Sequence, residues 1–206
     1  MTLGCSKKTR LRRAVLILGL AAVIDVCLSA PFGAELWDGV AAVPPGESYV
    51  ADVLKDSRTG LKPLAQLKLA QVILVECAEN RIDPVFVLAL IKTESGFFNW
   101  SRSLKGALGL MQILPSTGRE LAAELNLGWH GDATLLDPYL NVKIGIRYLS
   151  ELKDRYEDTG LALTAYNAGP GTTDSRLRLG EEAEQKGFVN RVLDNYRDIK
   201  GRADYY

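Results

Sequence analysis

Twice the chain sets an Asp-Pro pair directly ahead of a run of apolar residues at helical spacing, and that device constrains the fold more than any other feature. Asp83-Pro84 opens PVFVLALIKTES, and Asp137-Pro138 opens PYLNVKIGIRYLSELKDRY. An aspartate before a proline supplies an N-cap acceptor, then a residue whose missing N–H costs nothing in the first turn. The first run carries Val87, Leu88, Leu90 and Ile91 to Glu94, with Gly96 suited to end it. The second places Leu140, Ile144, Tyr148 and Leu152 along one side of a predicted helix.

The remaining segments keep the helical period with other punctuation. From Pro63, PLAQLKLAQVILVECAENR sets Leu67, Ala70, Leu74, Cys77 and Ala78 on one predicted face. Thr117, followed by Glu120, makes a capping-box pattern ahead of GRELAAELN. LALTAYNAG reads as a short apolar helix ended by AGPG, and GFVNRVLDNYRDI as a last helix before a polar tail, residues 201–206. SLKGALGLMQILP, with Gly106 and Gly109, predicts a turn and a short extended piece, a small hairpin at most. Residues 31–65 include AVPPGES and KDSRTGLKP, rich in turn formers and without sustained periodicity, and are expected to form a linker or loosely packed lead-in. No internal repeat is visible. The expected fold class is mainly α, with about six short helices around one core and a very small β element.

Charge narrows the partners. The 206 residues carry 25 basic and 25 acidic side chains, but residues 1–30 hold Lys7, Lys8, Arg10, Arg12 and Arg13 against Asp25 alone. The remainder bears 20 basic and 24 acidic residues, a mildly negative balance that argues against nucleic acid as a partner. KKTRLRR followed by AVLILGLAAVIDVCLSA has the basic-then-apolar order of an export signal, with Ser29-Ala30 as small residues for cleavage. The apolar run falls short of the ~20 residues of a spanning helix. Residues 1–30 are therefore read as a cleaved signal peptide or a signal anchor, with 14–30 as the segment that would anchor it in the inner membrane, which places the protein in the periplasm or cell envelope. Cys27, in IDVC, lacks the small residues that precede a lipidated cysteine. Beyond the signal Cys77 stands alone, so no internal disulfide is expected, and its apolar helical setting predicts a buried, inert thiol.

Glu94 is what the helical pattern leaves unexplained. A carboxylate at the foot of an apolar helix is costly unless it points to water or sits where its proton is wanted. The unperturbed pKa of Glu is about 4.3. Desolvation raises it, and an acid so tuned can protonate a leaving oxygen near neutral pH. Most glutamates are simply solvated, so residue type alone does not choose.

The order of motifs does. Glu94-Ser95, SLKGALGLMQ, YLNVKIGIRYL and TAYNAGPG follow one another within residues 94–171. Together they closely resemble the catalytic domain of the lytic transglycosylases, the goose-type-lysozyme-like family that cleaves bacterial peptidoglycan. On that resemblance residues 66–200 form the catalytic domain, preceded by the signal and a short linker. It implies cleavage of the β-1,4 bond between N-acetylmuramic acid and N-acetylglucosamine by a single Glu. That Glu acts first as acid and then as base, leaving a 1,6-anhydro end, whereas most glycosidases use two carboxylates.

The resemblance also assigns the supporting residues. Tyr166 corresponds to a tyrosine whose hydroxyl lies close to the catalytic Glu94; the alternative is a buried core tyrosine. Gln112 and Asn167 match amides that hold N-acetyl and hydroxyl groups of the sugar, a use suited to side chains with both donors and acceptors. Ser103 begins a Ser-x-x-Gly pattern lining the groove, and Gly106 and Gly109 are expected to let backbone approach the glycan. Met111 is placed at the site floor, and Glu184 at a position that contacts a distal sugar or peptide.

Other polar residues read as structural. Asp137 is a cap, Asp132 a solvated loop residue and Ser95 a helix-end hydroxyl. His130 is a surface residue, and Trp129 is open between packing and sugar stacking. The sequence departs from the family pattern in having Trp100 after Asn99, Gln185 after Glu184 and Phe188 in place of Tyr. No metal or other cofactor is expected, and a monomer acting on glycan strands is the expected state. Two other readings stay open: a hydrolytic lysozyme of the same fold, and a non-catalytic glycan-binding scaffold of a cell-envelope complex.

Overall fold

The structure, a computed structural model, describes residues 46–203. The export signal or anchor, the first part of the lead-in and residues 204–206 lie outside the described residues. Among the described residues there are nine helices: α1 (Gly46–Lys55), α2 (Pro63–Glu79), α3 (Pro84–Ser95), α4 (Pro115–Glu124), α5 (Asp132–Leu136), α6 (Pro138–Tyr156), α7 (Thr159–Ala168), α8 (Pro170–Arg178) and α9 (Lys186–Ala203). Strand pairing among them is limited to two isolated antiparallel bridges, Arg102 with Leu108 and Leu108 with Ile113. The mainly α expectation with a very small β element is what the structure has.

Both Asp-Pro devices work as their chemistry requires. Asp83 accepts from the Val85 N–H at 2.8 Å, and Asp137 accepts from Tyr139 and Leu140 N–H at 2.9 and 3.0 Å. The helix after Asp83 is buried over Val85 and Val87–Ile91. Such all-round burial follows from its position, since α9 lies along it and α2 and α1 also contact it. α6 packs on α7 and α2, and α4 and α5 also contact it. A half-buried ion pair joins α2 to α6, Glu76 with Lys143 at 2.5 Å. Cys77 is buried and free, and burial pushes its thiol pKa up, as an inert thiol requires.

Several local expectations are corrected. The buried face of α2 is Leu69, Ala70, Ile73, Glu76 and Cys77, not the Leu67–Leu74–Ala78 side; Leu67 is exposed. The face is turned because α2 is covered by α1 and α6, and Glu76, charged in sequence, is buried by its pairing with Lys143. The lead-in expected to be loose is ordered from Gly46 onward. Tyr49, Val50 and Leu54 of α1 are buried in the common core, and Thr59 receives the Gln66 side-chain amide at 2.8 Å. α4 starts at Pro115, so Thr117 and Glu120 fall inside the helix and no side chain caps it. Asp132 opens the short helix α5 rather than lying in a loop, and pairs with Arg102 at 2.9 Å on the surface. Residues 201–203 continue α9 rather than beginning a tail.

Candidate active site

Glu94 lies in the last turn of α3, one residue before its end. Gly96 stops the helix in the left-handed conformation, φ 59°, and returns its N–H to the Lys92 carbonyl. The same turn is fixed from outside by α9, whose Asn195 donates to the Thr93 hydroxyl at 2.9 Å and whose Asp198 pairs with Lys92 at 2.7 Å. Ser95 spends its hydroxyl on the Ile91 carbonyl, the helix-end role expected of it. Glu94 therefore projects from a rigid foot. Among the described residues no hydrogen bond or ion pair engages its carboxylate. Burial raises its pKa to about 7, partly offset by the guanidinium of Arg191 on α9. The carbonyl end of α3 acts in the same direction as burial, since a helix C-terminus disfavours negative charge.

Tyr166, in the last turn of α7, is buried, and its hydroxyl donates to the Met111 carbonyl at 2.8 Å. Burial, then the Glu94 charge, hold its pKa well above the ordinary phenol value, so it stays a neutral hydroxyl beside the acid. Its ring leans on Tyr148 of α6 with centroids 5.2 Å apart. Glu94, Tyr166 and the 108–112 loop thus come together.

That loop is held by side-chain amides as well as by its backbone bonds. Gln112 adopts φ 48°, and its side-chain amide donates to Gly109 O at 2.8 Å and Ser101 O at 3.1 Å. Both of its donor hydrogens face protein, leaving the amide oxygen to meet a ligand donor. Ser103 closes the preceding turn, its hydroxyl accepting from Ala107 N–H at 3.0 Å, and remains exposed.

Three further assigned residues, Gly109, Met111 and Glu184, are each held against neighbouring helices. At Gly109, φ 80°, a Cβ would overlap the Asn141 amide and the Leu135 carbonyl, so the missing side chain serves packing. Met111 is fully buried, with its thioether against Gly145 of α6, and presents only main-chain atoms to the site. Glu184 lies beside Gly160 at the N-terminal end of α7. That is about 10 Å along the helix from Asn167 at 1.5 Å per residue. The residue that reaches Asn167 is Gln185, whose side-chain oxygen accepts from the Asn167 amide while its N–H donates to the buried Thr164 hydroxyl at 2.8 Å. Trp129 packs on the core beside Gly118, and His130 is exposed.

Sequence reasoning passed over Arg191 and Asn141, and read Gln185 only as a departure from the family pattern. Arg191 carried no signal of its own. Asn141 did: it sits on the helical stripe Asn141–Gly145–Leu149–Leu152, a polar residue on a face that is otherwise apolar.

The site and its surroundings make a lysozyme-like, mainly helical domain with one desolvated carboxyl group at a helix foot. The structure is similar to the lytic transglycosylase Slt of Pseudomonas aeruginosa, solved as an inactive Glu-to-Gln mutant. The TM-score is 0.57 with 24% identity, over 65% of this chain and 24% of that one. It is also similar to the 70 kDa soluble lytic transglycosylase of Escherichia coli, with a TM-score of 0.56 and 21% identity over 78% and 31% of the two chains. The model of the transglycosylase SLT domain matches residues 71–189, and the chain belongs to that family.

Relatives include the transglycosylase of Enterobacteria phage PRD1, 31% identical over 61% of this chain and 42% of its own length. The soluble lytic murein transglycosylase of Escherichia coli K12 is 31% identical over 55% and 20%. The membrane-bound lytic murein transglycosylase C of Histophilus somni is 35% identical over 57% and 31%. The chain spans between 20% and 42% of the length of these relatives. Among the described residues no helix is long and apolar enough to cross a membrane.

Proposed function

We propose that this protein is an exported lytic transglycosylase that cleaves the β-1,4 bond between N-acetylmuramic acid and N-acetylglucosamine in peptidoglycan. The observation that carries the reading is Glu94: a carboxyl group held at the foot of a buried helix, with its pKa raised to about 7 by desolvation. Such a group keeps a substantial protonated fraction at neutral pH and can donate to the glycosidic oxygen as the bond to C1 breaks. The substrate's own acetamido oxygen closes on C1 in place of a second enzyme carboxylate. Glu94, now ionised, takes the proton of the C6 hydroxyl, whose oxygen attacks C1 and displaces the acetamido group. A 1,6-anhydro end results and no water is consumed. Tyr166 lies beside the acid, and Gln112, Asn167 and Ser103 offer the polar contacts for the glycan. The Glu-to-Gln change that accompanies inactivity in the Pseudomonas relative fits a single-acid site.

A hydrolase of the same fold would pass water to C1 instead, and the products separate the two. The expected result is that mass analysis of fragments released from purified sacculi shows muramic acid ends one water lighter than hydrolysed ends. Hydrolysed ends alone would make the protein a lysozyme, and no release at all would favour a glycan-binding scaffold.

A further inference from the structure

Resting on the reading of Glu94 as the acid, we infer that Asn141 is a positioning residue that holds the Met111 carbonyl under the Tyr166 hydroxyl, so that the one proton of Tyr166 is kept away from Glu94. Asn141 is wholly buried on α6. Its oxygen accepts from Met111 N–H at 2.8 Å, and its amide nitrogen donates to the Leu108 and Leu135 carbonyls, each at 2.9 Å. These three bonds engage both ends of the 108–111 turn and the end of α5. Gly109, without a Cβ, lets the turn lie directly on the amide. The carbonyl of Met111, fixed in this way, receives the Tyr166 hydroxyl at 2.8 Å.

A tyrosine has a single O–H to give. While it is given to Met111, Tyr166 offers Glu94 only oxygen lone pairs, which suit a carboxylic acid and not a carboxylate. If the carbonyl moved away, the hydroxyl would be free to donate to Glu94, and a donor to the charged form favours ionisation. The acid would then lose its proton at a lower pH. The other groups facing this pair are Arg191 on α9, which favours the carboxylate, and Tyr148 on α6, itself near Glu151, Glu120 and Arg155. None of these touches Asn141 in its hydrogen bonding.

The test uses two substitutions in the full chain. Asn141→Asp keeps the size and the acceptor for Met111 but sets oxygen against the Leu108 and Leu135 carbonyls; Asn141→Ser removes the reach altogether. Folding is checked by circular dichroism, the Glu94 titration midpoint is read by carboxyl-carbon NMR, and kcat and KM are measured on purified glycan strands. The expected result is a midpoint lowered by about one pH unit. The alkaline limb of the rate profile moves with it, kcat falls about fivefold at neutral pH, and KM stays within about twofold. In a Tyr166→Phe background the same substitutions should leave the midpoint where Tyr166→Phe alone puts it.

A folded Asn141 variant with an unchanged midpoint overturns the inference, as does an equal lowering in the Tyr166→Phe background. If neither variant folds, Tyr166→Phe alone decides. A midpoint at or below that of the unaltered protein upholds the direction of the proton, because only an acceptor has been lost, and a higher one overturns it. Because the titration is read without turnover, inactivity of the unaltered protein on peptidoglycan would sink the transglycosylase reading and leave this result standing.

Discussion

On the proposed reading two demands meet at Glu94, since a general acid must hold its proton at neutral pH and a folded protein must tolerate the group when it ionises. The pKa of about 7 in the folded state lies above the ordinary value of 4.5 because the carboxyl is desolvated. Folding therefore favours the protonated form. Below about pH 4.5 both folded and unfolded states are protonated and the favourable contribution is fully present; it is lost as the pH rises through about 7. The loss amounts to up to about 3 kcal/mol. Glu94→Gln cannot ionise, so its melting temperature should match that of the unaltered protein at pH 4 and exceed it at pH 8. Its cleavage of sacculi should fall to the detection limit at both, because departure and return of the proton use the same carboxyl group. In the unaltered protein cleavage should decline as pH rises through about 7, where the acid form is depleted. Tyr166→Phe should fold and lose on the order of 10²-fold in kcat. A turnover equal to that of the unaltered protein would return Tyr166 to a purely structural role.

At the scale of elements, the caps carry much of what could be read in advance. Asp137 accepts two N–H groups at the start of α6, the helix that bears Asn141 and Tyr148. Asp137→Ala should cost about 1 kcal/mol in chemical unfolding. It should leave the Glu94 titration unchanged, which separates a helix start from the site it supports. The Asp-Pro starts, the Gly96 stop and the weak pairing around Leu108 were legible because each depends on local backbone chemistry. The face of α2 was not, because Glu76 is buried only through Lys143 of α6, a partner 67 residues away. The packing at Gly109 was hidden for the same kind of reason: its positive φ suits the residue type, but that Asn141 and Leu135 fill the space of a Cβ depends on distant segments. The motif order pointed to Glu94, Tyr166 and Gln112. Gln185 and Arg191 join the site only because the start of α9 is brought beside α7 and the end of α3.

For the molecule as a whole, the decisive question is where the folding unit begins. Turn-rich composition ahead of Pro63 suggests that a fragment of residues 66–200 is the complete catalytic domain. The packing says otherwise. Tyr49, Val50 and Leu54 are buried in the same core as Leu69 and Ile73 of α2 and Phe97 beyond α3. The Tyr49 hydroxyl also donates to the Ile199 carbonyl of α9, joining the first helix to the last. Further along, Thr59 O accepts from Asn99 N–H at 3.2 Å, so the segment after α1 also braces the turn that follows the Glu94 helix. Burying each of the three α1 side chains stabilises by about 1.5–3 kcal/mol. Their loss together approaches the ~5–15 kcal/mol that holds a whole domain folded. Fragment 66–200 should therefore lack a cooperative thermal transition and fail to clear peptidoglycan. A fragment of residues 46–206 should melt cooperatively and retain the raised Glu94 titration. Calorimetry of the two fragments checks both expectations, and a cooperative, active 66–200 fragment would show that α1 is dispensable to the fold.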